Sequence, residues 1–271
     1  STQRLLEGLI KRPHGLVLVT GPTGSGKTTT LYACLTRLNT PEVKIVTTED
    51  PVEYDIPGLV QVAINQKISL DFATCLRSIL RHDPDIIMVG EIRDMETAQV
   101  AVQAALTGHL VFSTLHTNDA PGAVTRLLDM GVEPFLITST VTGILAQRLV
   151  RMLCPACRVP REPFDSATPR SGRSPERQSK DEPATVPPGL MEAKGCEACA
   201  GLGFRGRAGL FELLALDETI RPLGLERAGL GTLRDAARAA GMRTLREDGL
   251  AKVRAGETTL EEVLRETQDY D

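Results

Sequence analysis

Eight consecutive residues, from Gly21 to Thr28, read Gly-Pro-Thr-Gly-Ser-Gly-Lys-Thr and have the spacing of a phosphate-binding loop. Glycines let successive backbone N–H groups turn toward one anion, and the helix that follows directs its positive end to the same point. In this pattern Lys27 reaches the β- and γ-phosphates, and the Thr28 hydroxyl binds Mg²⁺. The predicted nucleotide site therefore consists of Gly21, Pro22, Thr23, Gly24, Ser25, Gly26, Lys27, Thr28 and Thr29.

Carboxylates follow two predicted strands. The strand at 43–48 delivers Glu49, and the apolar strand at 85–90 ends in Glu91. In open α/β sheets ligands bind at the carboxyl ends of the strands. A buried parallel strand that ends in an acid beside a nucleotide is the Walker B pattern, which predicts a role for Glu91 in hydrolysis. The alternative is a core strand followed by a solvated Glu91.

Four of the six cysteines form two C-x-x-C pairs, Cys154 with Cys157 and Cys196 with Cys199. Such pairs supply the tetrahedral thiolate set that binds Zn²⁺. The gap between the pairs is longer than in common zinc fingers, but each doubling of a loop adds only about 0.6 kcal/mol to its closure. We predict one structural Zn²⁺ without an open coordination position. The alternative is a set of reduced cysteines without metal.

The elements that must position these residues alternate between strand and helix. A short apolar strand at 15–20 precedes the phosphate loop, and Asp71 caps a helix that extends to residue 81. Another strand, at 109–115, ends at a histidine, and a further helix is predicted from about Pro134 to Met152. Alternation of this kind favours an α/β fold with a parallel, doubly wound sheet.

Composition divides the chain into three expected domains. They are a core at 1–152, a tetracysteine excursion at 153–203 and a mainly helical C-terminal lobe at 204–271. Within the excursion, residues 165–188 are almost devoid of apolar side chains, which predicts a mobile loop. The lobe is expected to begin with a turn and a strand at 204–214 and to continue with four short helices.

The net charge, the lengths of the apolar runs and the start of the sequence limit the kinds of protein that this chain can be. The chain has 271 residues and a net charge of −4, which argues against a broad nucleic-acid-binding face but leaves room for a local basic channel. No apolar run approaches the roughly 20 residues of a transmembrane helix, and no signal peptide is evident. Because the sequence begins with Ser and reaches the phosphate loop after 20 residues, we expect further domains before it.

The ordered motifs resemble those in the C-terminal region of the type II secretion and type IV pilus assembly ATPases. Besides the phosphate loop, they include an acidic "Asp box" at 49–53, a Walker B stretch at 86–94 and a "His box" at 108–118. With the two cysteine pairs, the resemblance covers residues 15–271, apart from 165–188.

This resemblance implies a RecA-like P-loop core with a zinc-bearing excursion and a helical lobe. It implies that ATP is hydrolysed to ADP and phosphate in a cytoplasmic hexamer of identical subunits, peripheral at the inner membrane. The expected partners are an inner-membrane platform protein and docking proteins of a secretion or pilus machine, and no nucleic acid. Family members carry N-terminal domains that supply arginines to the phosphates, so this chain alone is expected to assemble and turn over poorly.

The resemblance also implies catalytic roles for Glu91, Glu49 and His116. Glu91 is expected to polarise the attacking water, directly or through the metal shell, and Glu49 is the other candidate base. The sequence does not divide the work between them. His116 is expected to sense the γ-phosphate, whereas His109 is either a helper or a hydrogen-bonded strand histidine.

Other functions are weighed against the assembly motor. A nucleotide-dependent switch or scaffold with little turnover is disfavoured because Glu49, Glu91 and His116 are all in place. A nucleic-acid translocase is disfavoured by the acidic balance of charge. A pilus-retraction motor is disfavoured because, in the resemblance, the tetracysteine belongs to the assembly branch. Secretion and pilus extension stay unresolved.

Overall fold

A computed structural model describes residues 2–161 and 190–268 of the chain. The predicted mobile loop at 165–188 lies outside the described residues. The chain divides into two compact units, each built from separate segments. The first unit comprises 1–149 and 209–245, and the second comprises 150–208 and 246–271. The three domains expected from composition stay a prediction.

The described residues contain nine strands and ten α-helices in a largely alternating order. The strands are β1 (Gly15–Thr20), β2 (Ile45–Glu49), β3 (Val60–Ala63), β4 (Ile86–Val89), β5 (Leu110–Leu115), β6 (Val141–Leu153), β7 (Arg158–Pro160), β8 (Met191–Ala193) and β9 (Phe204–Ala215). The helices are α1 (Thr2–Leu9), α2 (Lys27–Leu38), α3 (Phe72–Ile79), α4 (Met95–Leu106), α5 (Ala120–Asp129), α6 (Pro134–Thr140), α7 (Ile220–Leu225), α8 (Leu230–Ala239), α9 (Leu245–Arg254) and α10 (Leu260–Glu266). Among these helices, none has the length and apolar character needed to cross a membrane.

The first unit is organised by a seven-stranded sheet with the order β3-β2-β4-β5-β1-β6-β9. The pairs of β1 with β5 and β6, of β4 with β5, and of β2 with β3 and β4 are all parallel. Every residue of β1, β2, β4 and β5 is buried, as expected for parallel strands covered on both faces. The predicted α/β fold with a parallel sheet is therefore confirmed.

The strand order brings the predicted motifs to one edge of the sheet. Because β1, β5, β4 and β2 are neighbours and run in the same direction, their carboxyl ends meet at that edge. The phosphate loop leaves the end of β1, His116 follows β5, Glu91 follows β4 and Glu49 ends β2. Asp71, Asp94 and Asp119 cap the helices after β3, β4 and β5 with their side chains.

The helix predicted from Pro134 to Met152 is wrong beyond its first turns. Helix α6 ends at Thr140, and β6 continues from Val141 as a parallel neighbour of β1. Two β-branched residues and Gly143 at the start of β6 disfavour a helix. The first eight residues of β6 are all buried, and an apolar run buried on both faces shows no periodicity that separates strand from helix.

The second unit, where the structure describes it, has two short strands between its cysteine pairs. Strands β7 and β8 form a two-stranded antiparallel sheet that pairs Arg158 with Ala193. Glu262 of α10 forms an ion pair with Arg151 near the end of β6, and it is also paired with Arg265 of its own helix. The guanidinium of Arg151 lies over the ring of Phe204, 4.2 Å from its centroid. The four helices predicted after β9 are confirmed as α7, α8, α9 and α10.

Candidate active site and metal centre

The phosphate loop is held closed by its own lysine. Lys27 Nζ donates hydrogen bonds to the carbonyls of Gly21 and Pro22, at 2.8 and 3.1 Å. Helix α2 begins at Lys27, and Gly26 before it has a φ of +86° that favours glycine. No described side chain caps this helix, so its first amides point into the loop. The loop is thus shaped for an anion.

The environment of the loop fits a bound phosphate. Ser25 Oγ is buried and lacks a hydrogen-bond partner among the described residues. Gly24 has a φ of +80°, and a Cβ built there would meet no atom of residues 2–161 and 190–268 within 4 Å, so these residues leave the loop crest open. Burial lowers the pKa of Lys27; the negative charge of Glu91 opposes this, and the positive charge of Arg148 adds to it. A bound anion would satisfy the hydroxyl and stabilise the ammonium.

Glu91 is paired with two cationic or ionisable groups. One of its oxygens lies 3.3 Å from His116 Nε2, and the other accepts a hydrogen bond from Arg93. This bond and the charge of Glu91 raise the pKa of Arg93. The carboxylate is 13% exposed, whereas the His116 side chain is 48% exposed. Glu91 therefore lies at the margin of the site, within reach of a water molecule.

Glu49 is enclosed instead. Its carboxylate is buried and accepts hydrogen bonds from Tyr32, from Thr47 and from Gln61, the last at 3.1 Å. Burial and the hydrogen bond to Glu49 raise the pKa of Tyr32. Three donors fix the orientation of this carboxylate, so it is a rigid acceptor in the core behind the site. The environments of Glu49 and Glu91 thus differ in a way that their sequence motifs do not reveal.

The segment that carries His116 is bonded to the end of β1. Thr20 Oγ1 accepts a hydrogen bond from the Thr117 amide at 2.8 Å, and it lies 3.1 Å from the Leu115 carbonyl. The residues on both sides of His116 therefore contact the residue that precedes the phosphate loop. By contrast, His109 lies at the opposite end of β5, with Nδ1 3.0 Å from the Ala104 carbonyl. This geometry matches the interpretation of His109 as a hydrogen-bonded strand histidine.

Two residues of β6 that the sequence interpretation missed also lie next to Gly21 of the loop. Gln147 and Arg148 are both buried. Gln147 Oε1 accepts a hydrogen bond from Thr30 of α2 at 2.7 Å, and Arg148 Nη2 donates to the Asn118 carbonyl at 2.8 Å. The sequence feature that could have identified them is a pair of polar residues inside an apolar run. It was overlooked because this run was predicted to be a helix.

The four paired cysteines converge in the second unit. Their Sγ atoms all lie within 4.8 Å of one another. Cys154 and Cys196 are 4.0 Å apart, Cys157 and Cys199 are 3.8 Å apart, and Cys196 and Cys199 are 3.7 Å apart. A tetrahedron with Zn–S bonds of about 2.3 Å has edges of about 3.8 Å. The cluster therefore fits Zn²⁺, and its spacing is far from that of a disulfide.

Backbone groups prepare one of these thiols for metal. Cys199 Sγ accepts hydrogen bonds from the amides of Cys196 and Gly203, at 3.2 and 3.1 Å. Burial acts to raise the pKa of Cys199, but these donors, together with the thiols of Cys196 and Cys157, outweigh it and lower the pKa to about 6. Amide donors to a ligating sulfur are the usual second layer of a thiolate site. The other two cysteines, Cys34 and Cys75, are buried in α2 and α3, and burial raises the pKa of Cys34 to about 11.

The sequence is similar to those of known secretion and pilus proteins. The profile of the family described as "Type II/IV secretion system protein" matches residues 1–265. "Type II secretion system protein HxcR" of Pseudomonas aeruginosa is 55% identical over 97% of this chain and 51% of its own length. "Type IV pilus assembly ATPase PilB" of Myxococcus xanthus is 51% identical over 95% of this chain and 44% of its own length.

A solved structure shares the fold over nearly the whole chain. The pilus retraction motor PilT, solved with bound ADP, superimposes with a TM-score of 0.72 at 30% identity. The match covers 98% of this chain and 65% of that one. The chain spans about half the length of the curated relatives it matches. Since the family profile matches almost every residue, the chain belongs to the family of type II/IV secretion system proteins.

Proposed function

We propose that this chain binds MgATP at the phosphate loop and hydrolyses it as the catalytic part of a motor in type II secretion or type IV pilus assembly. One observation carries the proposal: a single sheet edge gathers the Lys27 loop and the hydrogen-bonded pair of Glu91 and His116. The relatives named above include an ATPase of pilus assembly, and the retraction motor was solved with ADP.

In this mechanism Lys27 and the amides from Gly21 to Thr29 hold the phosphates. Nucleotide binding would exchange the bonds from Lys27 to the Gly21 and Pro22 carbonyls for bonds to phosphate oxygens. Thr28 would hold Mg²⁺, which supplies charge neutralisation at the phosphates when bound. His116 lies close enough to Glu91 to report on an occupied γ-phosphate position.

Glu91 is the better placed of the two carboxylates to accept a proton from water. As the water oxygen bonds to the γ-phosphorus, the bond from that phosphorus to the bridging oxygen breaks, and the water proton passes to Glu91. The partial exposure of Glu91 leaves it room for a water molecule, whereas three donors already occupy the oxygens of Glu49. We assign Glu91 the catalytic role and Glu49 a positioning role through Tyr32 and Gln61.

The cysteine cluster would hold one Zn²⁺ with all four sulfurs. Four thiolates complete a tetrahedral zinc site, so the metal has a structural role and takes no part in the reaction. Cys154, Cys157, Cys196 and Cys199 are the proposed ligands.

We also propose an oligomeric state, a location and partners for the chain. We propose a hexamer of identical subunits on the cytoplasmic face of the inner membrane, with a platform protein and docking proteins as partners. The 55% identity to a type II secretion protein and the 51% identity to a pilus assembly ATPase are too similar to separate secretion from pilus extension. Both exceed the 30% identity to the retraction motor, which favours the assembly branch.

Fluorescent mant-ADP with Mg²⁺ tests the binding step, and phosphate release from ATP tests turnover. We expect saturable binding that Lys27→Ala removes, and turnover that rises with protein concentration as subunits associate. Binding without turnover by the assembled hexamer would favour the switch or scaffold. Absence of nucleotide binding by the wild-type chain would contradict the proposal as a whole.

A further inference from the structure

Strand β6 lies beside the phosphate loop, on the side of β1 opposite to β5. A Cβ built on Gly21 would lie 2.5 Å from the Gln147 carbonyl and 3.2 Å from Arg148 Nη1. A Cβ built on Gly26 would lie 2.8 Å from Gln147 Nε2. Gly21 therefore packs against the Gln147 carbonyl and the Arg148 guanidinium, and Gly26 packs against the Gln147 side chain.

Arg148 is unusual because it is a cation in the interior. Its exposure is 8%, and burial of a guanidinium is unfavourable unless its N–H groups are bonded. Nη1 donates to the Gln147 carbonyl at 3.1 Å, and Nη2 donates to the Asn118 carbonyl at 2.8 Å. Arg148 thus connects β6, next to Gly21, with the backbone two residues beyond His116.

A second connection holds the same segment from β1. The Thr117 amide donates to Thr20 Oγ1, and the two hydroxyls lie 2.7 Å apart. Asn118 and Thr117 are therefore attached to the two strands that flank the phosphate loop. Neither connection involves the imidazole of His116, which is left to face Glu91.

We propose that Arg148 is a positioning residue of the nucleotide site: its guanidinium fixes the segment that carries His116 to β6, which lies against the phosphate loop. The inference rests on the function proposed above. The planar fork of arginine suits the role, because one rigid group reaches two carbonyls on different segments. Lysine keeps the charge but has no rigid fork, so it cannot hold both carbonyls in the same arrangement.

The chain offers a spectroscopic test because it has only four histidines. Their Hε1 resonances can be resolved in ¹H–¹³C spectra of the nucleotide-free chain, and His116→Gln assigns the one of interest. In Arg148→Lys we expect the His116 resonance to shift clearly, while those of His14 and His82 stay in place. The matched control is Arg37→Lys, which changes an exposed arginine of α2 and should move none of them.

A second measurement separates positioning from direct contact with phosphate. Mant-ADP affinity of Arg148→Lys should stay within about threefold of wild type, while phosphate release falls by about 10- to 100-fold. An unmoved His116 resonance in a folded Arg148→Lys variant would overturn the proposal. So would losses of affinity and rate of equal size, since those would make Arg148 a phosphate ligand.

Folding and the underlying function are controlled separately. If Arg148→Lys lacks native amide dispersion, Arg148→Met, which keeps the volume without the charge, takes its place with the same expectation for His116. If the wild-type chain binds no mant-ADP, the proposed function fails. The nucleotide-free spectra still decide whether Arg148 positions His116.

Discussion

The phosphate-loop edge of the first unit and the cysteine cluster of the second are built on opposite principles. At the loop, within the part of the chain that the structure describes, Ser25 Oγ is buried without a hydrogen-bond partner, and a Cβ built on Gly24 would meet no atom within 4 Å. In the cluster, the sulfurs face one another, and Cys199 also accepts two amide bonds. The first arrangement leaves groups open for a ligand that comes and goes, whereas the second closes around a ligand that stays.

The two sites also differ in the number of buried side chains that hold them in place. The strands that hold the phosphate loop and Glu91 belong to a core in which Val17, Val19, Met88 and Phe112 are buried. In the described part of the second unit, the buried aliphatic side chains are Val150, Leu153, Leu190, Val253 and Val263. The buried core can hold the nucleotide site in place without a ligand. The second unit buries so few side chains that we expect it to need a bound metal to hold the cysteine cluster in place.

Removal of the loop lysine should give the largest loss. Lys27→Ala removes the ammonium that would meet the β- and γ-phosphates, so phosphate release should fall by at least about 10³-fold. The fold should persist, because the bonds from Lys27 are to its own loop and not to the core. Turnover is measured by phosphate release and folding by circular dichroism. Retained turnover would remove the loop from the mechanism.

The two carboxylates of the edge should respond differently to the same change. Glu91→Gln should keep mant-ADP binding and lose about 10²-fold or more in turnover, the usual scale for a lost general base. Glu49→Gln places an amide donor against Gln61, Tyr32 and Thr47, so it should lower the melting temperature as well as the rate. Equal melting temperatures for the two variants would argue against the division of roles.

In the second unit, loss of one ligand should affect metal and local order but not nucleotide. Cys196→Ser should reduce bound zinc from one per chain to well below one, as measured by elemental analysis. Residues 154–199 should then be cleaved by trypsin, for example after Arg158 or Lys194. Mant-ADP affinity should barely change, because the proposed nucleotide contacts all belong to the first unit.

Cys75→Ala is the control for this experiment, since it changes a cysteine buried in α3 and outside the cluster. It should keep the full zinc content. Four freely titratable thiols in a wild-type protein without zinc would end the zinc hypothesis for the cluster.

The sequence predicted those parts of the two sites whose chemistry is local. The phosphate loop needs only glycines, one lysine and flanking apolar residues, and the cysteine pairs need only their spacing. The alternation of strands and helices predicted a parallel sheet with Glu49 and Glu91 at strand ends, whereas the catalytic roles of Glu49 and His116 were implied by the family resemblance. The meeting of these residues at one edge follows from the strand order.

What escaped prediction depends on contacts between distant segments. Gln147 and Arg148 lie on β6, and their roles come from Gly21, Thr30 and Asn118, which are remote in sequence. The intrinsic preference of Val141 for strands could have favoured a strand here. The buried pairing with β1 is what makes this segment a strand. The difference between Glu49 and Glu91 likewise arises from Tyr32 and Gln61.

Two buried carboxylates, one in each unit, should make the stability of the two units depend on pH in different ways. Glu212 accepts hydrogen bonds from the amides of Ala120 and Leu245, at 2.8 and 3.3 Å, at the starts of α5 and α9. Burial raises the pKa of Glu212 despite these donors. Burial also acts to raise the pKa of Glu262, but Arg151 and Arg265 outweigh it and lower the pKa.

The smallest expected effects are therefore opposite in sign. Because folded Glu212 holds its proton more tightly than the unfolded chain, its contribution to stability is complete below the ordinary carboxyl pKa of about 4.3 and is lost as pH rises through the folded pKa. Folded Glu262 holds its proton less tightly, so its contribution is present above that ordinary pKa and is lost as pH falls through the folded pKa. Relative to Glu212→Gln, the wild-type melting temperature should fall by a few degrees as pH rises from the ordinary carboxyl pKa toward neutrality. Relative to Glu262→Gln, it should rise as pH increases from more acidic values to the ordinary carboxyl pKa and should then level off. Melting curves of zinc-loaded protein, recorded pairwise at each pH by circular dichroism, cancel the other titrating groups. Two differences of the same sign would show that the amide donors, and not burial, control Glu212.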